Sequence, residues 1–146
     1  MNSEEKKDIQ ENACNNILKD KELQEVVGGA ALISQLGVSG GSDVVSRAES
    51  WVGRADYVWG ACSPGAFDCS GFVSYCLTGR YARLGTTYTF LTWPQTSNPQ
   101  PGDVCVNSGH CGIYIGGGQM IHAATEGVGV IQGPVQGGMI YVKSPY

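Results

Sequence analysis

"GHCGIYIGGGQMIHAAT", residues 109–125, holds two runs of alternating character on either side of Gly116-Gly117-Gly118. Alternation reads as two half-buried strands, and the glycine cluster between them as the turn of a β-hairpin. With the three glycines as the turn, Ile115 faces Gln119, Tyr114 faces Met120 and Gly112 faces His122. His110 and His122 then share a face as diagonal neighbours, close enough for one imidazole to orient the other. A four-residue turn would flip the parity and put them on opposite faces. No other histidine occurs in the chain.

Working outward, residues 103–107 (DVCVN), 128–133 (VGVIQG) and 139–143 (MIYVK) are short, β-branched or aromatic, and bounded by glycine or proline. They extend the hairpin into a small antiparallel sheet. Upstream, Ser42 is a candidate cap for a helix from Asp43 to about Val52, with Val44, Val45, Ala48, Trp51 and Val52 as its buried stripe. Tyr57, Val58 and Trp59 suggest a short extended piece, and Pro64-Gly65 a turn. Residues 86–101, with Trp93 and three prolines, read as a loop that could wall a cleft, although its aromatics serve equally well as packing residues. Helices precede strands, so the expected class is α+β, N-terminal helices packed on a small antiparallel sheet.

In "PGAFDCSGFVSYCL", residues 64–77, Cys69, Phe72, Val73, Cys76 and Leu77 fall at i, i+3, i+4, i+7 and i+8, one face of a helix. Asp68 suits its N-cap. Cys69 would then occupy the first turn, where the backbone dipole and unbonded amide groups favour a thiolate. Cys76, two turns in among apolar neighbours, reads as a structural thiol. A thiol at a helix start and an imidazole positioned by a second polar group form the constellation a cysteine hydrolase needs.

Taken together, "YVWGACSPGAFDCSGFV" (57–73), "PGDVCV" (101–106) and "HCGIYIGGGQMIHAA" (110–124) resemble the core of the NlpC family of cell-wall cysteine peptidases, which have a papain-like fold. The likeness runs from about Asp43 to the end of the chain. It implies Cys69 as nucleophile, His110 as base and His122 as the orienting third residue. It further implies that Tyr57 directs its hydroxyl toward the site and that the Cys69 amide helps hold the oxyanion. Asp68, Ser70 and Trp59 are implied as substrate-binding positions. The implied reaction is hydrolysis of amide bonds in peptidoglycan stem peptides, most often between D-glutamate and the following diamino acid, without metal or cofactor. Two positions depart from the pattern: Cys111 stands where an aliphatic residue is usual, and Cys62 where glycine is common.

Composition bounds the rest. With 146 residues, 42% of them hydrophobic, the chain suffices for one domain plus an appendage. It holds no apolar run long enough to cross a membrane, and its polar start lacks the apolar stretch of a secretory signal peptide. The net charge of −4 argues against a nucleic-acid partner. Residues 1–29 carry seven acids and four lysines and read as a helix from about Ser3 to Val27 with Ile9, Ala13 and Ile17 on one side. The run Leu18, Glu22, Leu23, Val26, Gly28, Gly29 resembles the double-glycine leader of bacteriocins and other small exported polypeptides. That likeness implies docking on the peptidase domain of an ABC transporter, cleavage after Gly29 and a secreted mature chain from Ala30, with a cytoplasmic precursor. The expected organisation is a leader at 1–29, a linker at 30–41 and a monomeric catalytic domain at 42–146.

The remaining cysteines favour thiols over disulfides, because Cys76 and Cys105 look like core positions. A zinc site from Cys105, His110, Cys111 and His122 is disfavoured because strand alternation sends His110 and Cys111 to opposite faces. Alternative readings are an amidase or acyl-transfer enzyme on another cell-wall or lipid amide, and a leader-exported toxin acting without catalysis.

Overall fold

The computed structural model describes residues 40–146. Helix α1 (Gly40–Ser50) is followed by three two-residue strands, β1 (Asp56–Tyr57), β2 (Cys62–Ser63) and β3 (Ala66–Phe67), and by helix α2 (Cys69–Thr78). A single-turn helix α3 (Thr87–Phe90) leads to β4 (Gln95–Thr96), β5 (Val104–Val106), β6 (Cys111–Gly116), β7 (Gln119–Ala123), β8 (Val130–Pro134) and β9 (Ile140–Val142). The last six strands form one antiparallel sheet in the order β4-β9-β5-β6-β7-β8. The expected α+β class holds, with α1 and α2 packed together and against β6 and β7. The segment that resembles a leader, Leu18 to Gly29, lies outside the described residues.

Helix α2 forms where the periodicity places it. Asp68 caps it in extended conformation and accepts the Gly71 N–H, while Gly79 closes it in the left-handed region at φ 75°. The Arg47 guanidinium of α1 reaches the Cys76 and Leu77 carbonyls at 2.7 and 3.3 Å, satisfying groups that no later turn can reach. Phe72, Val73, Cys76 and Leu77 are buried as the spacing requires. Burial also takes in Ser70, Gly71 and Ser74, so α2 is enclosed on almost every side. Phe67 anchors the core beside it, its ring 5.5 Å from Phe72, 5.6 Å from Tyr75 and 5.8 Å from Trp51.

Several elements differ from expectation. Helix α1 begins at Gly40, so Ser42 lies inside its first turn rather than capping it. Of its predicted stripe, Val44 and Ala48 are buried, Val45 and Trp51 half-buried and Val52 exposed, because Val52 falls beyond the helix end. Residues 86–101 are not all loop: Thr86 and Thr89 form a reciprocal capping box around α3, and Gln95–Thr96 add an edge strand to β9. Trp93 packs, its ring 4.7 Å from Phe90. Tyr57 pairs in parallel with Phe67, and Pro64-Gly65 does form a turn, linking β2 to β3 with Gly65 at φ 80°.

The hairpin register is the consequential correction. Gly117 and Gly118, both at positive φ, form a two-residue turn, so Gln119 pairs with Gly116 and not with Ile115. A bulge between Tyr114 and Gly116 then restores the expected pairing, Tyr114 with Met120 and Ile113 with Ile121.

Gly71 is where α2 comes closest to the preceding loop. A Cβ there would stand 2.2 Å from the Ala61 carbonyl oxygen and 2.9 Å from Asp68 Oδ1. Gly71→Ala is therefore expected to destabilise the domain by about 1–3 kcal/mol, the usual cost of overpacking, read as a lowered midpoint in chemical denaturation. An unchanged midpoint would refute this account of the α2 start.

Candidate active site

Three structural pieces bring the site together. The start of α2 presents Cys69, the loop before β6 presents His110, and the middle of β7 presents His122. Cys69 is half-buried and lines a cleft of about 290 Å³ with Tyr57, Trp59, Asp68, Ser70 and Arg83. His110 and His122 line a second, neighbouring pocket with Thr125, Val128 and Ile131. His110 and His122 meet edge to face, with Nε2 of His110 2.7 Å from Nδ1 of His122. That contact uses His110 Nε2 and leaves its Nδ1 for another partner.

Local chemistry explains how His110 is aimed. Asn107 Oδ1 accepts the backbone N–H groups of Gly109 and His110, both at 2.8 Å, and the Asn107 N–H donates to the His110 carbonyl at 3.0 Å. This Asx turn bends the chain immediately before β6. His110 is the residue immediately before β6. Cys111, the next residue, opens β6 opposite Val106 and is fully buried.

On the opposite strand, a Cβ at Gly112 would stand 3.0 Å from His122 Cβ and 2.9 Å from Met120 Sδ. Only glycine there leaves His122 room to lean toward His110.

The electrostatics divide the two sulfur and nitrogen pairs. Cys69 is held down at about 5: the hydrogen bond from Cys111 lowers it, burial opposes, and the hydrogen bond and charge of His110 lower it further. Burial and the neighbouring His110 push His122 down to about 4, so it is neutral at neutral pH. A neutral His122 can accept the His110 Nε2–H. Burial and the negative charge of Cys69 push the Tyr57 hydroxyl up to about 12, which keeps it a donor. Burial raises Cys76 well above its ordinary value and Cys105 to about 12, consistent with inert core thiols. None of the five described cysteines forms a disulfide.

Arg83 is the site residue that sequence reasoning missed. Its guanidinium donates to both Asp68 carboxylate oxygens at 3.0 Å and to Ser70 Oγ at 2.7 Å. Asp68 also accepts the Gly60 N–H at 3.0 Å and the Gly71 N–H at 2.7 Å. The only available signal was its being one of four arginines in a weakly charged domain. Trp59 is 56% exposed at the cleft rim.

A half-buried thiol held low, a pair of hydrogen-bonded imidazoles, and a helix start with its unbonded amide can perform acyl transfer by nucleophilic attack. The sequence profile of the NlpC/P60 family matches residues 53–143. The chain belongs to this family. The family domain is 44% identical over 101 residues to a probable endopeptidase p60 of Listeria grayi, covering 61% of this chain and 19% of that protein. A probable endopeptidase of Mycobacterium bovis is 37% identical over 113 residues, covering 70% of this chain and 29% of that protein. The chain thus spans less than a third of the length of these relatives. Among solved structures, the NlpC/p60 domain of the peptidoglycan hydrolase SagA aligns with a TM-score of 0.59 and 34% identity, over 71% of this chain and 98% of that one. The Resuscitation Promoting Factor Interacting protein RipA aligns with a TM-score of 0.62 and 28% identity, over 73% and 63%.

The thiolate assignment has a direct readout. Alkylation by iodoacetamide, followed by intact mass, is expected to rise with pH through a midpoint near 5 and to stop at one fast adduct, on Cys69. A midpoint at the ordinary thiol value near 9 would contradict it.

Proposed function

We propose that this protein is a cysteine peptidase that hydrolyses amide bonds in peptidoglycan stem peptides through Cys69, His110 and His122. The observation that carries this reading is the 2.7 Å contact between His110 Nε2 and His122 Nδ1, together with Cys69 at the start of a helix on the wall of a cleft, its thiol held low in part by His110. The Cys69 thiolate attacks the substrate carbonyl carbon, forming a C–S bond while the oxygen takes up negative charge. The Cys69 backbone N–H at the head of α2 and the Tyr57 hydroxyl stabilise that oxyanion. His110 gives its Nδ1 proton to the leaving amine as the C–N bond breaks, leaving a thioester. Water, deprotonated by the same nitrogen, then releases the carboxylate and restores the thiolate.

Substrate binding falls to the rim. Trp59 offers an exposed aromatic face, and Asp68 and Ser70, tied to Arg83, present a fixed polar wall. The family likeness and the relatives named as endopeptidases and as a peptidoglycan hydrolase support a wall substrate, and the bond proposed is that between D-glutamate and the following diamino acid. The same reading has the chain exported by a peptidase-containing ABC transporter through the leader-like segment ending at Gly29, and working outside the cell or in the wall.

Digestion of purified sacculi tests activity and bond choice together. The wild-type protein is expected to release stem-peptide fragments whose masses place the cut after D-glutamate, whereas Cys69→Ala releases none, a loss of at least about 1,000-fold. Release by the alanine variant would overturn the mechanism, and fragments cut elsewhere would point to the amidase alternative. For export, co-expression with such a transporter should yield a secreted product beginning at Ala30; any other N-terminus counts against the leader.

A further inference from the structure

The turn that carries His110 is closed on itself by the Asn107 bonds, which set its shape but not its place over the cleft. Ser108 and Gly109 are exposed at its tip. The tip is tied to another element through Thr87 of α3, whose hydroxyl donates to the Ser108 carbonyl at 3.0 Å. Nothing in the reaction just described uses Thr87. We propose that Thr87 is a positioning residue, whose hydroxyl latches the 107–110 turn to α3 and thereby holds the His110 imidazole in place for its proton transfers. The inference rests on the reading of Cys69 and His110 as nucleophile and base.

Thr87 can serve as an anchor because α3 is itself fixed. Thr86 and Thr89 cap the helix through their reciprocal box, and Phe90, one turn after Thr87 on the same face, is fully buried with its ring 4.7 Å from Trp93. The box makes no use of the Thr87 hydroxyl. Thr87 is only 8% exposed, and a hydroxyl with so little access to water needs a protein partner, which the Ser108 carbonyl supplies. Ser108 itself is exposed and its turn is already closed by Asn107, so the bond bears on where the turn sits more than on whether it forms.

Place is what the chemistry requires. Thr87 and Gly109 line the same cleft as Cys69, and Gly109 directly precedes His110. The latch therefore joins two parts of the wall that faces the nucleophile. On the other side, His122 Nδ1 meets His110 Nε2 at 2.7 Å. The imidazole is thus held at its ring by His122 and through its backbone by Thr87. A shift of about 1 Å in a reacting group can cost about 100-fold in rate.

The test compares wild type, Thr87→Val, which keeps the shape and removes the hydroxyl, and Thr87→Ser, which keeps the hydroxyl. On an isolated stem peptide, valine is expected to lower kcat about tenfold with KM changed by less than about twofold, and serine to stay within about twofold of wild type in both. In the pH series of iodoacetamide alkylation at Cys69, read by intact mass, valine should raise the midpoint by about half a pH unit, because His110 helps hold that thiol low, and serine should not. The other groups that bear on the Cys69 charge, Asp68, Tyr57 and Cys111, are left unchanged by either substitution. A valine variant with wild-type kcat and midpoint, one that raises KM alone, or a serine variant that loses as much as valine would overturn the proposal. Thr87→Ala, read in the same way, replaces valine if that variant does not fold, as judged by circular dichroism. Alkylation needs no substrate, so if the wild type proves inactive on stem peptides the substrate reading fails and the alkylation series alone decides this one.

Discussion

The Asp68 carboxylate is the constraint on which the site depends. It caps α2 through Gly71, ties down the 58–61 loop through Gly60, and holds Arg83 with both oxygens. Its own N–H donates to Ala61 at 3.0 Å, and that carbonyl is the atom Gly71 must clear. The helix start and the cleft wall are therefore one hydrogen-bonded unit. Hydrogen bonds to an ionised group contribute about 1.5–3 kcal/mol each, more than neutral ones. A carboxylate one residue before Cys69 also acts against its charged form. Arg83, paired with that carboxylate at 3.0 Å, rigidifies the cap.

The second dependence is on which imidazole carries charge. Two adjacent histidines cannot both be protonated without mutual repulsion. Burial resolves the matter by keeping His122, which is deeper, neutral. The outer ring is then free to pair with sulfur while its Nε2–H is satisfied. In the proposed mechanism a neutral imidazole takes the orienting task that a carboxylate performs in other triads, without adding negative charge beside the thiolate.

Much of this was legible because it rests on spacing. The face Phe72, Val73, Cys76, Leu77, the Asp68 cap and the shared side of the two histidines all follow from periods of 3.6 and 2, and all are found. What could not be read rests on contacts distant in sequence or on irregular backbone. Arg83 lies in an aperiodic stretch and meets Asp68 fifteen residues away only once the domain has folded. Strands β1, β2 and β3 hold two residues each, too few for any alternation to register.

The hairpin shows how a correct outcome can rest on an incorrect turn. A two-residue turn at Gly117-Gly118 with no bulge would place His122 opposite Ile113, and the β-strand period would then send it to the face away from His110. The bulge at Ile115 adds the one residue that returns Tyr114 to Met120. Nor is the register left to the turn alone. The space beside Gly112 accommodates His122 only in this pairing, since a strand slipped by one residue would bring the bulky Ile113 against the imidazole. Three glycines at 116–118 permit the geometry, but the fourth, at 112, selects it. The parity of β7, more than the separation of β6 and β7, is what turns two histidines into one hydrogen-bonded pair behind Cys69.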